Sequence, residues 1–193
     1  MSAAHKRGRM IRWTTAHAEM CGIVAGLMLL WLGIAASAQD IWRDVRIPDA
    51  DFAVTMPGQP HIVSSSTDPS GTTFRQYVLE RTPVTFSVSF LVFPQGTVAR
   101  ASADKVIDVA RDTLIREYGA KIRSEKSLAL AGGTAREATL DLPETAGQAG
   151  GVAKLRVYVL GDRQYTLLVL TSPGFEEGPG IARFLDSFRI VEQ

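Results

Sequence analysis

The sequence predicts an α+β domain built on antiparallel strands, with helices packed against them. Three stretches carry that expectation. Leu155–Leu170 (LRVYVLGDRQYTLLVL) reads as two strands reversing at Gly161-Asp162, where glycine frees the backbone and aspartate is a favoured turn residue. Val84–Phe93 puts Val84, Phe86, Val88, Phe90 and Val92 on one face and Thr85, Ser87 and Ser89 on the other, the strict period two of a core-facing strand. Between Ser102 and Gly119, Ile107, Ala110, Leu114 and Tyr118 recur at the three- and four-residue spacing of an amphipathic helix.

The hairpin's loop length decides which of its residues share a face. A two-residue loop sets Tyr158 opposite Tyr165 and Arg156 opposite Leu167, mixing polar and apolar residues on both faces. A three-residue loop, Gly161-Asp162-Arg163, gathers Leu155, Val157, Val159, Tyr165, Leu167 and Val169 on one face. The three-residue loop sorts the chain better and is the expectation. In either case the second face stays partly apolar, which predicts that both faces of this sheet are covered.

In chain order, Trp42–Pro48 leads in and Phe52–Met56 alternates up to Pro57-Gly58, a short first strand. His61–Ser65 is a candidate second strand, Ser64–Thr72 a Ser/Thr/Gly/Pro/Asp loop, and Thr73–Leu79 a third strand. Pro94-Gln95-Gly96 ends the strand begun at Val84. Ser102 is placed to cap the helix, Asp104 suits its first turn, and Gly119 stops it. Lys105, Asp108, Asp112 and Arg116 form its solvated side. Ile122–Leu130 and Ala135–Leu142 are strands around Gly132-Gly133, with Ala138, Leu140 and Leu142 facing in. Pro143–Gly151 is small and glycine-rich, the expected mobile loop. Ser172–Gly180 is a loop, and Ile181, Phe184, Leu185 and Phe188 give a short amphipathic helix suited to covering one hairpin face.

The first 38 residues read as a secretory leader. His5, Lys6, Arg7, Arg9 and Arg12 make a basic start, 20–39 is free of charge, and Ala36-Ser37-Ala38 is a small-residue cleavage site. The alternative is an uncleaved inner-membrane anchor, since the uncharged run is nearly long enough to span a bilayer. Cys21 precedes the apolar core, which argues against a lipoprotein. The expected domains are therefore a signal peptide, 1–38, and one α+β domain, 39–193, in the periplasm or secreted. The leader removes four basic residues and one acidic, leaving 17 Lys+Arg against 19 Asp+Glu, a net charge of −2. That balance gives no general attraction to nucleic acid or to an anionic membrane. The chain's 1 cysteine lies in the leader, so the domain relies on its packed core rather than on a disulfide.

Motifs for chemistry are sparse. His61 is the one histidine after the leader, and no G-x-S-x-G frames a serine, so no hydrolase triad can be assembled. Clustered His and Cys zinc ligands are missing. Asp44, Asp49 and Asp51 lack the spacing of a calcium loop. Glu176-Glu177 lies in a loop, and no carboxylate pair stands out for glycosidase work. Gly132-Gly133 lacks phosphate-loop spacing. No catalytic residue, cofactor or metal is expected. Tyr158, with Arg156 and Arg163 nearby, supplies the candidate partner contacts.

Several motifs carry a resemblance to a known family. They are the opening Phe-Ala-Val-Thr-Met-Pro-Gly at Phe52–Gly58, Gly-Gly-x-x-Arg-Glu at Gly132–Glu137, Arg-x-Tyr-x-x-Gly-x-Arg-x-Tyr at Arg156–Tyr165 and Arg-Phe-Leu-Asp-Ser-Phe at Arg183–Phe188. With the order of elements over Trp42–Val191, they resemble exported bacterial domains of the PsbP-like superfamily, which includes extrinsic subunits of photosystem II. The resemblance implies an antiparallel sheet between helical layers, an α/β/α sandwich, and carries over no catalytic residue. The functional expectation is a non-enzymatic binding or accessory protein of the bacterial cell envelope, partnered by an envelope protein. A carrier with a cavity between helix 103–118 and the sheet is the second expectation, and a hydrolase of unrecognised type the third.

Overall fold

The computed structural model describes residues 41–47, 50–144 and 150–191. The expected leader and the centre of the glycine-rich loop, 145–149, lie outside them. The strands are β1 (Arg43–Arg46), β2 (Phe52–Met56), β3 (His61–Thr67), β4 (Thr73–Arg81), β5 (Val84–Val92), β6 (Lys121–Leu128), β7 (Thr134–Leu142), β8 (Gly151–Leu160), β9 (Arg163–Thr171) and β10 (Arg189–Ile190). The helices are α1 (Thr97–Ala101), α2 (Ala103–Tyr118) and α3 (Pro179–Asp186). Among the described residues, no helix is long and apolar enough to cross a membrane.

Seven strands form one antiparallel sheet in the order β3-β4-β5-β9-β8-β7-β6, and β1, β2 and β10 form a second, three-stranded sheet. The expected α+β class and antiparallel sheet are therefore present, with β5 and β9 at the centre. One covering layer is richer than expected, because α3 shares it with the three-stranded sheet. Sequence pattern missed β1 and β10, which are short and exist by pairing with β2 from the two ends of the described chain. β3 runs on to Thr67, so the expected 64–72 loop shrinks to a turn in which the Asp68 carboxylate accepts from the Thr72 amide at 2.9 Å.

The β8–β9 turn holds two residues, not the three expected, and Tyr158 faces Tyr165 while Arg156 faces Leu167. The expectation failed because sorting polar from apolar presumes one wet face. Here both faces are covered. Leu155, Val157 and Val159 lie under Val106 and Ile107 of α2. Tyr158, Tyr165, Leu167 and Val169 face α3 and β2 on the other side. Arg156 is admitted to that second side because it donates to Glu137 at 2.5 Å and to Asp186 at 2.7 Å.

The α3 side is an aromatic core. Phe52 meets Phe90 at 5.6 Å and Tyr165 at 5.2 Å between ring centres, Phe86 meets Phe184 at 5.2 Å, and Phe188 stacks on Tyr158 at 4.2 Å. Edge-to-face and offset rings of this kind are favourable beyond the area they bury. α2 has the expected bounds. The Ser102 hydroxyl accepts from the Lys105 amide at 3.3 Å, and Gly119 ends the helix at φ 62°.

Candidate functional site

Period two along the strands sends alternate residues to the α2 side. From β8 these are Ala153, Leu155, Val157 and Val159, and from β7 Ala138 and Leu140, all buried. From β5 they are Ser87 and Ser89, from β9 Gln164 and Thr166, and from β4 Phe74 and Gln76. The sheet thus changes from apolar to neutral-polar across one face. α2 follows the apolar half because Val106 and Ile107 bury against it, and ion pairs add to that placement. Arg136 on β7 reaches Asp104 and Asp108 of the helix, each at 2.7 Å. Arg111 of the helix reaches Glu125 on β6 at 2.9 Å.

What α2 leaves uncovered is a cleft of about 540 Å³ between the helix and β4, β5 and β9. Val106, Val109, Ala110 and Leu114 of the helix make one wall, while Phe74, Leu91 and Phe93 make the opposite rim. The floor is a row in cross-strand register, Gln76 beside Ser89 and Ser89 beside Thr166. Two amides on this side bond to neighbouring hydroxyls, Gln76 Nε2 to Ser87 Oγ and Gln164 Nε2 to Thr166 Oγ1, both at 3.1 Å. Ser87, Ser89 and Gln164 are buried. At one end stand Tyr118 and Glu117, and burial, followed by the Glu117 charge, raises the Tyr118 phenol pKa.

The other end is closed by α1, whose Thr97 and Ala101 line the cleft. This five-residue helix has no side-chain cap from its own neighbour, Gly96. The hairpin turn supplies one instead. The Asp162 carboxylate accepts from the Gly96 amide at 2.6 Å and the Val98 amide at 2.9 Å, and its carbonyl from the Phe93 amide at 2.9 Å. The Val98 and then the Gly96 hydrogen bond hold the Asp162 carboxyl below the usual aspartate range. A turn residue by sequence is therefore also the clamp on the cleft's end wall.

The candidate partner contacts stand on the opposite face of the sheet. Arg156 lies between Glu137 and Asp186, and although burial opposes its charge, those bonds raise its pKa. Arg163 pairs with Asp51, which also accepts from the Tyr165 hydroxyl at 2.8 Å. Tyr158 is buried under Phe188. His61 is exposed at the start of the edge strand β3. Asp44 pairs with Arg189, and Glu176 accepts from Arg123 and the Gly174 amide. Among the described residues, no three His, Cys, Asp or Glu side chains gather as metal ligands. Sequence reasoning missed the cleft floor. The one signal was the hydroxyl series Thr85, Ser87, Ser89 on a central strand, which period two alone reads as a wet face.

No family model and no curated protein sequence matches the chain. The solution structure of cyanobacterial PsbP (CyanoP) from Synechocystis is similar at 12% identity, with 77% of this chain and 92% of that one covered and a TM-score of 0.53. A Bacteroides thetaiotaomicron protein aligns at 10% identity and TM-score 0.44, over 78% of this chain and 49% of its own. A Pseudomonas aeruginosa protein of unknown function aligns at 12% identity and TM-score 0.39, over 70% of this chain and 85% of its own. The first likeness shows that the chain has a PsbP-like fold, as the hairpin and closing motifs implied.

Proposed function

We propose that this chain is a non-catalytic binding protein of the bacterial cell envelope that holds an apolar small molecule in the cleft between α2 and the sheet. The leader-like pattern of the first 38 residues supports export. The observation that carries the binding role is the cleft itself. It is about 540 Å³, within the range of small-molecule sites, and it combines apolar walls with a few placed polar groups, as such sites do. The floor groups are neutral amides and hydroxyls, suited to holding a ligand rather than to proton transfer or nucleophilic attack. Val109, 55% exposed on the helix wall, is an apolar side chain that a bound ligand would cover.

The test is equilibrium binding of Nile red, a neutral apolar fluorophore. The purified protein should bind it saturably, near one per chain. Ser89→Phe puts a ring at the centre of the floor, so binding should fall at least tenfold while the unfolding midpoint moves little. Absence of saturable binding, or binding indifferent to that substitution, would sink the reading.

A further inference from the structure

Resting on that reading of the cleft, we propose that its ligand is a linear amphiphile with one anionic head, such as a carboxylate. The head sits at Lys105 and the tail runs beneath α2 towards Tyr118. The charges on the helix are divided by side. Asp104 and Asp108 pair with Arg136, and Asp112 pairs with Arg111. Lys105 and Glu117 line the cleft instead, and neither makes an ion pair among the described residues. They are twelve residues apart, roughly 18 Å along a helix, so the cleft is long and differently charged at its ends.

The two ends are not equivalent. At the Lys105 end, Arg100 donates to the cleft-lining Thr97 at 3.2 Å, and its charge is offset by Asp162, whose carboxyl it helps to hold low. The other carboxylate close by, Asp104, is paired with Arg136, which leaves Lys105 as the uncompensated charge. At the Glu117 end, Arg116 donates to the cleft-lining Thr113 at 3.2 Å and offsets the carboxylate. Only the Lys105 end therefore presents net charge, and it is positive. The helix dipole adds to it, since the first turn of α2 is its positive end.

The floor explains why the rest of the ligand is a plain chain. Gln76 and Gln164 already donate to Ser87 and Thr166. Among the described residues, no buried side-chain nitrogen or oxygen lacks a partner. An apolar tail can cover Gln76 and Gln164 with these bonds kept, which lowers the cost of burying their amides. A ligand dependent on several floor hydrogen bonds would first have to break the existing ones.

Competition against bound Nile red tests this with three probes of equal length: tetradecanoate, tetradecanol and tetradecylamine. Tetradecanoate should displace the dye at about fivefold lower concentration than the other two, the scale of one partly screened charge pair. Lys105→Gln should erase that margin, each displacement being read against the variant's own dye affinity, while Glu117→Gln should leave the margin standing. Equal displacement by all three, preference for the amine, or a margin that survives Lys105→Gln would overturn the anionic-head proposal with the cleft reading still in place. If Nile red itself fails to bind, the cleft reading falls, and this proposal with it.

Discussion

On β5, Phe86, Val88 and Phe90 point to one side of the large sheet and Ser87 and Ser89 to the other, and the chain treats the two sides differently. The aromatic side is closed by elements from both ends of the described chain, β1, β2, α3 and β10, whose residues fill it ring against ring. The hydroxyl side is covered by one long helix, held to one half of the sheet by Arg136 and Arg111. The contrast separates two tasks. The first side is packed shut, while the second is packed only on the half that α2 covers. The second keeps open space beside a rigid sheet, which is where a binding site can sit without loosening the fold.

The largest expected effect lies on the closed side. Phe184 is fully buried against Phe86, and truncating such a ring costs about 3–5 kcal/mol. Phe184→Ala should lower the thermal midpoint by about 10–20 °C in calorimetry. A shift of only a degree or two would mean that α3 is not part of the core, and the contrast between the sides would collapse.

A smaller effect is expected across the sheet. Leu114 lies on the cleft wall, half-buried, with open space on one side. Its truncation removes fewer contacts and leaves no sealed cavity, so Leu114→Ala should cost about 1 kcal/mol, or 2–4 °C. A loss equal to that of Phe184→Ala would show that the cleft side is packed as tightly as the aromatic side.

The main elements of both sides were legible in the sequence and the extent of their cover was not, for a physical reason. Val84–Val92, Ala103–Tyr118 and the Phe184 helix carry strong periodic burial, and period reports which residues share a face. It does not report what covers that face, or how far. The seat of α2 is fixed by contacts distant in sequence, including Arg136, which reaches helix positions 28 and 32 residues away. α1 was invisible for the same reason, since its cap comes from 64 and 66 residues away in Asp162. The hairpin register differs from the expectation because polar-out sorting needs a free face, and β8–β9 packs apolar residues on both.

The smallest effect concerns that cap, and pH separates it from ordinary destabilisation. Asp162 accepts two backbone hydrogen bonds from the strand-to-α1 connection, and those bonds hold its carboxyl below the usual aspartate value. A group whose folded pKa is depressed contributes stability that is fully present above its unfolded pKa, near 4, and is lost as pH falls through the folded value. Asp162→Asn keeps one acceptor oxygen and turns an NH₂ group towards a backbone N–H, removing the charge and one of the two bonds. The variant should therefore unfold at a lower temperature than the parent at pH 7. The gap should hold at pH 5 and narrow as the pH is taken below about 4, where the parent's carboxylate also becomes protonated. A gap of constant size down to pH 2 would show that the side chain acts through shape rather than charge. No gap at pH 7 would show that α1, and with it the end wall of the cleft, is held by Val98 packing and does not need the hairpin turn.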